Sequence, residues 1–259
     1  MLHTRLVGDM GDAPPRFVFL HGLFGRGRNW AGIARGLASH GHRSLLVDLP
    51  DHGQSPWTDR FDYLDYADQV AATLRETCPA PVVLVGHSLG GKVAMLVALR
   101  HPLLLGGLVV VDIAPAPTAA AAEFRPVVAA MRALDLAALS TRAEADTLLA
   151  QAVPDQAERL FLLQNLQPAH GWHWQPNLAL LGDSLDTIAG WPAVNGRYDG
   201  PVLWLLGGDS GYVTAADQAP MHALFPAVTT RIIPGATHWV QADRPQAVID
   251  ALLGFGETI

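Results

Sequence analysis

Six short runs of mainly apolar residues, Phe17–Leu20, Ser44–Val47, Val82–Val85, Leu108–Val111, Val202–Leu206 and Arg231–Ile233, recur along the chain with longer segments between them. Runs that stay apolar without alternating are expected of parallel strands, because both faces of such a strand are covered. Trp30–Ser39, Tyr63–Thr77, Gly90–Arg100 and Pro245–Phe255 have helical periodicity, and Gly or Pro punctuates most junctions. Together these segments predict an α/β fold with a mostly parallel central sheet flanked by helices.

The strand–helix rhythm fails between residues 114 and 200, an interval too long for a structureless connection in a compact domain. Its segments TAAAAEFRPVVAAMRALDLAALS, RAEADTLLAQAV and QAERLFLLQNLQ read as helices, followed by the aromatic GWHWQP and a further short helix near Asn177–Ile188. The expectation is a core of residues 1–113 and 201–259 with a helical cap, 114–200, inserted over the strand ends, where it walls a pocket.

Half of the 259 residues are apolar and 16% are charged, which is a globular composition rather than a disordered one. The net charge of −7, with basic residues scattered singly, argues against nucleic acid as a partner, since phosphate binding needs clustered Lys and Arg. Cys78 is the sole cysteine, so neither an internal disulfide nor a multi-cysteine metal site can form. No HExxH or comparable spacing implies a metal, and nothing implies a cofactor. The N-terminal MLHTRLVGDMGDAPP lacks a secretory pattern and no apolar run approaches a membrane span, so a soluble cytoplasmic protein is expected.

The stretch VLVGHSLGGKVAML, beginning at Val83, fits two different loops. Gly86 to Lys92 matches the G-x-x-x-x-G-K of a phosphate-binding loop, but Val93 stands where such a loop needs a Ser or Thr hydroxyl for magnesium. Gly86-His87-Ser88-Leu89-Gly90 matches the G-x-S-x-G elbow, whose glycines let a strained turn hold the serine out at the start of a helix. Ser88 is the candidate nucleophile, the Leu89 amide faces a developing oxyanion, and Lys92 becomes an incidental helix residue, paired or solvated. A second oxyanion amide is expected at Leu23 in His21-Gly22-Leu23-Phe24-Gly25, with His21 shaping the loop.

A base must take the Ser88 proton, and a neutral imidazole suits that task near pH 7. His238, in IIPGATHWVQADRP after the last strand, has the right place in the chain order, nucleophile first and base last, whereas His52 precedes Ser88. Two aspartates close strands between Ser88 and His238: Asp112 after LVVV and Asp209 after VLWLLGG. Either could hold the imidazole in the needed tautomer. Phe24, Trp172, Trp174 and Trp239 are candidates for the pocket wall.

HGLFG at 21–25, DLPDHGQSP at 48–56, GHSLGGK at 86–92, VVVDIAP at 109–115, LLGGDSGYV at 205–213 and GATHWVQADRP at 235–245 together resemble an α/β-hydrolase. More narrowly, the chain resembles the small bacterial YbfF-type esterases and their mitochondrial relatives, the abhydrolase-domain-11 group, over nearly its whole length. The resemblance implies carboxylic ester or acyl-thioester substrates. It also implies a turn at Asp51–Ser55 that braces the nucleophile elbow, and it favours Asp112 as the acid because that subgroup often has Asn at the place of Asp209; this chain departs from the subgroup by having Asp209, which leaves that aspartate as the alternative acid. A cofactor-free haloperoxidase or perhydrolase, or a C–C bond hydrolase, would use the same triad, and a non-catalytic small-molecule receptor is a further alternative.

Overall fold

The computed structural model describes every residue except Met10 and His170. Its elements in chain order begin with β1 (Thr4–Val7), β2 (Phe17–Leu20), α1 (Ala31–Ala38), β3 (Ser44–Val47), α2 (Tyr63–Thr77), β4 (Val82–His87), α3 (Leu89–Arg100) and β5 (Leu105–Val111). Between β5 and the return to the sheet lie α4 (Ala120–Ala133), α5 (Arg142–Leu149), α6 (Gln156–Leu163), β6 (Leu166–Gln167), β7 (His173–Trp174), α7 (Leu178–Asp183) and α8 (Leu185–Ala189). The chain closes with β8 (Val202–Gly207), α9 (Gln218–Leu224), β9 (Val228–Ile233), α10 (Val240–Asp243) and α11 (Pro245–Gly256).

Among the described residues, seven strands form one sheet in the order β1-β3-β2-β4-β5-β8-β9, parallel except for β1, which runs antiparallel to β3. The six apolar runs are the six parallel strands. β1 carries no such run because it is an edge strand and Arg5 and Leu6 are exposed; β9, at the other edge, begins earlier than its apolar end because Thr229 and Thr230 face solvent.

Side-chain alternation along each strand feeds two apolar layers. In β4, Val83 and Val85 join Trp30, Ile33, Leu37, Val248 and Leu252 of the layer under α1 and α11. Val82 and Leu84 join Val70, Leu74, Val93 and Val97 under α2 and α3 on the opposite face. α2 starts where the Asp62 side chain accepts the amides of Leu64 and Asp65, and it stops at Cys78 because Pro79 disfavours helical geometry in the residue before it.

The helices between β5 and β8 pack mainly on one another, α4 against α7 and α8, and α5 against α6. Polar contacts fasten them to the sheet. Asn177 Nδ2 donates to Asp51 Oδ1 at 2.9 Å, and Asn165 Nδ2 donates to the Phe24 carbonyl at 2.6 Å. The predicted single helix near Asn177–Ile188 is two short ones, interrupted at Ser184, whose φ of −100° and ψ of 7° leave helical geometry. Among the described residues, no helix is long and apolar enough to cross a membrane.

Candidate active site

β4 ends in a turn that only small residues can make. A Cβ on Gly86 would stand 2.2 Å from the Gly90 carbonyl oxygen, and one on Gly90 would stand 2.5 Å from the His21 carbonyl oxygen. Held between them, Ser88 adopts φ 52° and ψ −119°, a conformation that costs a non-glycine residue about 1–3 kcal/mol. Its N–H is tied to the Val111 carbonyl at 3.1 Å, and α3 begins at the next residue, so the first amides of that helix point toward the serine end.

Asp112 follows β5 with φ 51° and is almost fully buried. Its Oδ2 accepts from His238 Nδ1 at 2.8 Å and from Ser210 Oγ at 2.5 Å, while Oδ1 accepts from the Gly207 N–H at 2.9 Å. Burial opposes charge on this carboxylate, yet the hydrogen bonds from His238, Ser210 and Gly207 outweigh it and hold the pKa below its ordinary value. Asp209 is exposed, and its N–H donates to the Ala236 carbonyl at 2.9 Å. Of the two aspartates that close strands, the geometry brings Asp112 to His238.

Three residues around the imidazole were not singled out from the sequence. His87 is buried, and burial pushes its pKa down to about 3, so the ring is neutral; its Nε2 lies 2.8 Å from the His238 carbonyl oxygen and must donate to it. Tyr212 stacks flat on the His238 ring at 3.6 Å between centroids, and its hydroxyl donates to Glu123 of α4. Ser210 is the third, bonded to Asp112 as above. A histidine next to the elbow serine and a tyrosine after a strand carry no local pattern that signals these contacts.

The loop after β2 lies against the elbow. A Cβ on Gly22 would meet Ser88 Cβ at 3.4 Å, which seats Leu23 beside the serine. His21 shapes that loop through Nδ1, which donates to the Gly22 carbonyl at 2.8 Å, and through Nε2, which accepts the Leu49 N–H at 3.0 Å. The Asp51–Ser55 turn packs on this loop and on the start of α7. His52 packs on the His21 ring at 5.1 Å, and Asp51 accepts from Tyr66, Thr58 and Asn177.

A narrow cleft opens at Ser88, lined among others by Leu23, Tyr63, Leu89, Lys92, Phe124 and Tyr212. None of the four aromatic residues expected in its wall is among its described lining residues. Trp174 buries its indole in the cap and donates to the Met131 carbonyl at 3.1 Å, Trp172 faces the Arg142 guanidinium, and Trp239 packs between His87 and Phe161. Phe24 is fully buried under Phe124. Tryptophan needs an acceptor for its N–H when buried, and for Trp174 the cap interior supplies one.

Lys92 corrects a second expectation: it is neither surface-solvated nor paired with a carboxylate. Its ammonium is buried and donates to the carbonyls of Ala189 at 2.9 Å and Gly190 at 2.6 Å, with Ile188 at 3.4 Å. Among the described residues, no group of three or more His, Cys, Asp or Glu side chains is arranged to hold a metal ion.

The family model described as the alpha/beta hydrolase fold matches residues 15–245. The chain is 39% identical to the mouse sn-1-specific diacylglycerol lipase ABHD11 over 95% of its own length and 82% of that protein. It is 31% identical to the Escherichia coli esterase YbfF over 91% of its length and 90% of that protein. Among solved structures, a marine microorganism esterase superposes with a TM-score of 0.92 at 30% identity, covering 98% of both chains. A carboxylesterase-type hydrolase is the enzyme class common to these relatives and to this chain. With its parallel sheet, its strained elbow and these relatives, the chain belongs to the alpha/beta hydrolase fold family and, within it, to the esterases and lipases of the YbfF and ABHD11 group.

Proposed function

We propose that the protein hydrolyses carboxylic esters through an acyl-enzyme on Ser88, with His238 as base and acid and Asp112 as its partner. The observation that carries this is the 2.8 Å bond from His238 Nδ1 to Asp112, because it commits the ring proton to Nδ1 and leaves the Nε2 lone pair for the serine. Tyr212 lines the cleft with Ser88 and stacks on the His238 ring, which supports pairing this nucleophile with this base. Catalytic hydrogen bonds of this kind often tighten only when substrate is bound.

In the first half-reaction His238 Nε2 takes the Ser88 proton as Oγ attacks the acyl carbonyl. The oxyanion forms opposite the amides of Leu23 and Leu89, donors that need no reorganisation. The tetrahedral intermediate collapses, the imidazolium returns the proton to the leaving oxygen, and an acyl-Ser88 ester remains. Water, deprotonated by the same imidazole, then releases the acid and regenerates the serine. The fixed Asp112 carboxylate stabilises the imidazolium in both halves. Leu23, Leu89, Ile113 and Phe124 make the cleft mainly apolar, which suits an acyl chain, and an acyl thioester presents the same carbonyl to the same groups.

Intact mass after exposure to a small serine-reactive phosphonate tests the reading. One adduct on the native chain, absent from Ser88→Ala, is expected; an unlabelled native chain refutes an activated Ser88. Paired ester and thioester substrates with one acyl group then separate the two leaving-group classes.

A further inference from the structure

Lys92 is the only lysine in the chain, lies one turn beyond Ser88 on the same helix, and is not used by the proposed mechanism. A buried ammonium without a carboxylate is costly to keep, so what its donors engage decides its role. They engage one place: the carbonyls at the end of α8, which helical geometry leaves unpaired. Tyr63 of α2 donates its hydroxyl to the Ile188 carbonyl at 2.6 Å, and Thr118 gives its N–H to the Ala189 carbonyl at 2.9 Å. Tyr63, Lys92, Thr118 and Ile188 are all walls of the cleft at Ser88. The knot therefore ties the nucleophile's own helix to the end of α8, in the wall of the cleft at Ser88.

Distance gives the knot a consequence. Four residues of α-helix rise about 6 Å, comparable to a short acyl chain, and helical side chains lean back toward the helix N-terminus, here toward Ser88. An acyl chain growing away from Ser88 meets the Lys92 clasp, and further methylene groups must displace it or press against an ammonium already committed to carbonyls.

We propose that Lys92 is a specificity-determining residue that sets the longest acyl chain the cleft accepts, by clasping the end of α8 in the cleft wall. The inference rests on the proposed acyl-enzyme reading. It assigns Lys92 a positioning role only, with no contact to the reacting atoms. Among the described residues no charged side chain pairs with the ammonium: Tyr63 presents its ring 5.8 Å away, the Tyr63 and Thr118 hydroxyls donate to the Ile188 and Ala189 carbonyls, and burial lowers the ammonium pKa to about 7. The ammonium charge is therefore present at low pH and is lost as pH rises through that value.

The test uses the full chain, Lys92→Met and Lys92→Arg, with p-nitrophenyl butyrate and octanoate. In Lys92→Met the octanoate-to-butyrate ratio of kcat/KM is expected to rise about tenfold, carried mainly by a lower KM for octanoate, and Lys92→Arg is expected to return the ratio toward the native value. A ratio unchanged in Lys92→Met overturns the inference. Should that variant not fold, Tyr63→Phe decides instead: it removes the hydroxyl bond to the Ile188 carbonyl from the same knot, its octanoate-to-butyrate ratio should rise in the same direction, and an unchanged ratio overturns the inference. A native chain that hydrolyses neither ester and takes no phosphonate refutes the acyl-enzyme reading itself, an outcome distinct from active enzyme with an unmoved ratio.

Discussion

Replacing Asp112 by Asn retains the shape of the side chain and puts a donor where one acceptor stood. Oδ1 accepts from the Gly207 N–H, so the amide oxygen of an asparagine is held there, and its NH₂ takes the position of Oδ2, facing His238 Nδ1 and Ser210 Oγ. The NH₂ can only donate. His238 Nδ1 must then accept, its proton moves to Nε2, and the atom that should receive the Ser88 proton is already protonated. Loss of the tautomer in a related triad lowers kcat by about 10⁴-fold, roughly 5 kcal/mol in the barrier. The measurement is kcat for p-nitrophenyl butyrate in Asp112→Asn and Asp209→Asn, with far-UV circular dichroism to verify folding. Asp209 is exposed and directs only its backbone N–H to Ala236, so Asp209→Asn should stay close to the native rate. If Asp209→Asn shows the larger loss, or Asp112→Asn retains most of its activity, Asp112 is not the partner of the base.

Gly90→Ala should destabilise the fold by at least about 1–3 kcal/mol, because its Cβ would meet backbone oxygens of β2 and the following loop at 2.5–2.7 Å; urea denaturation measures the loss, and phosphonate labelling should fall with it. Asn177→Ala removes a donor to the buried Asp51 carboxylate and the cap of α7, an expected cost of about 1.5–3 kcal/mol, visible as a lower Tm while Ser88 still labels. His52 and His87 are held neutral by burial with pKa values pushed to about 3, whereas the unfolded chain protonates them near 6.5. The unfolded state thus binds more protons below that value, so stability is full above pH 6.5 and falls toward pH 3. The pair should contribute a loss of about 4 kcal/mol between pH 7 and pH 5, and equal stability by urea titration at the two pH values would refute neutral burial.

The six parallel strands and the elbow were legible because their causes are local. A strand covered on both faces must be apolar throughout, and a turn with backbone on both sides of Ser88 admits only glycine at Gly86 and Gly90. β1 was not legible, since an edge strand with one open side needs no apolar run, and Arg5 and Leu6 point to solvent. The four aromatic residues assigned to the pocket illustrate the opposite error. Composition marks Trp172, Trp174, Trp239 and Phe24 as large and apolar, but where a ring packs depends on which acceptors and neighbours the cap presents.

By itself, the sequence determined the class of fold, the nucleophile candidate and the order of serine and histidine along the chain. All three follow from periodicity, glycine sterics and chain order, which are properties of short segments. The choice between Asp112 and Asp209, the pinning of the His238 loop by His87 and the burial of Lys92 at the end of α8 were decided only by the tertiary structure. Each is a contact between residues 97 to 151 positions apart, and no local rule specifies which carbonyl or imidazole will stand opposite a given side chain.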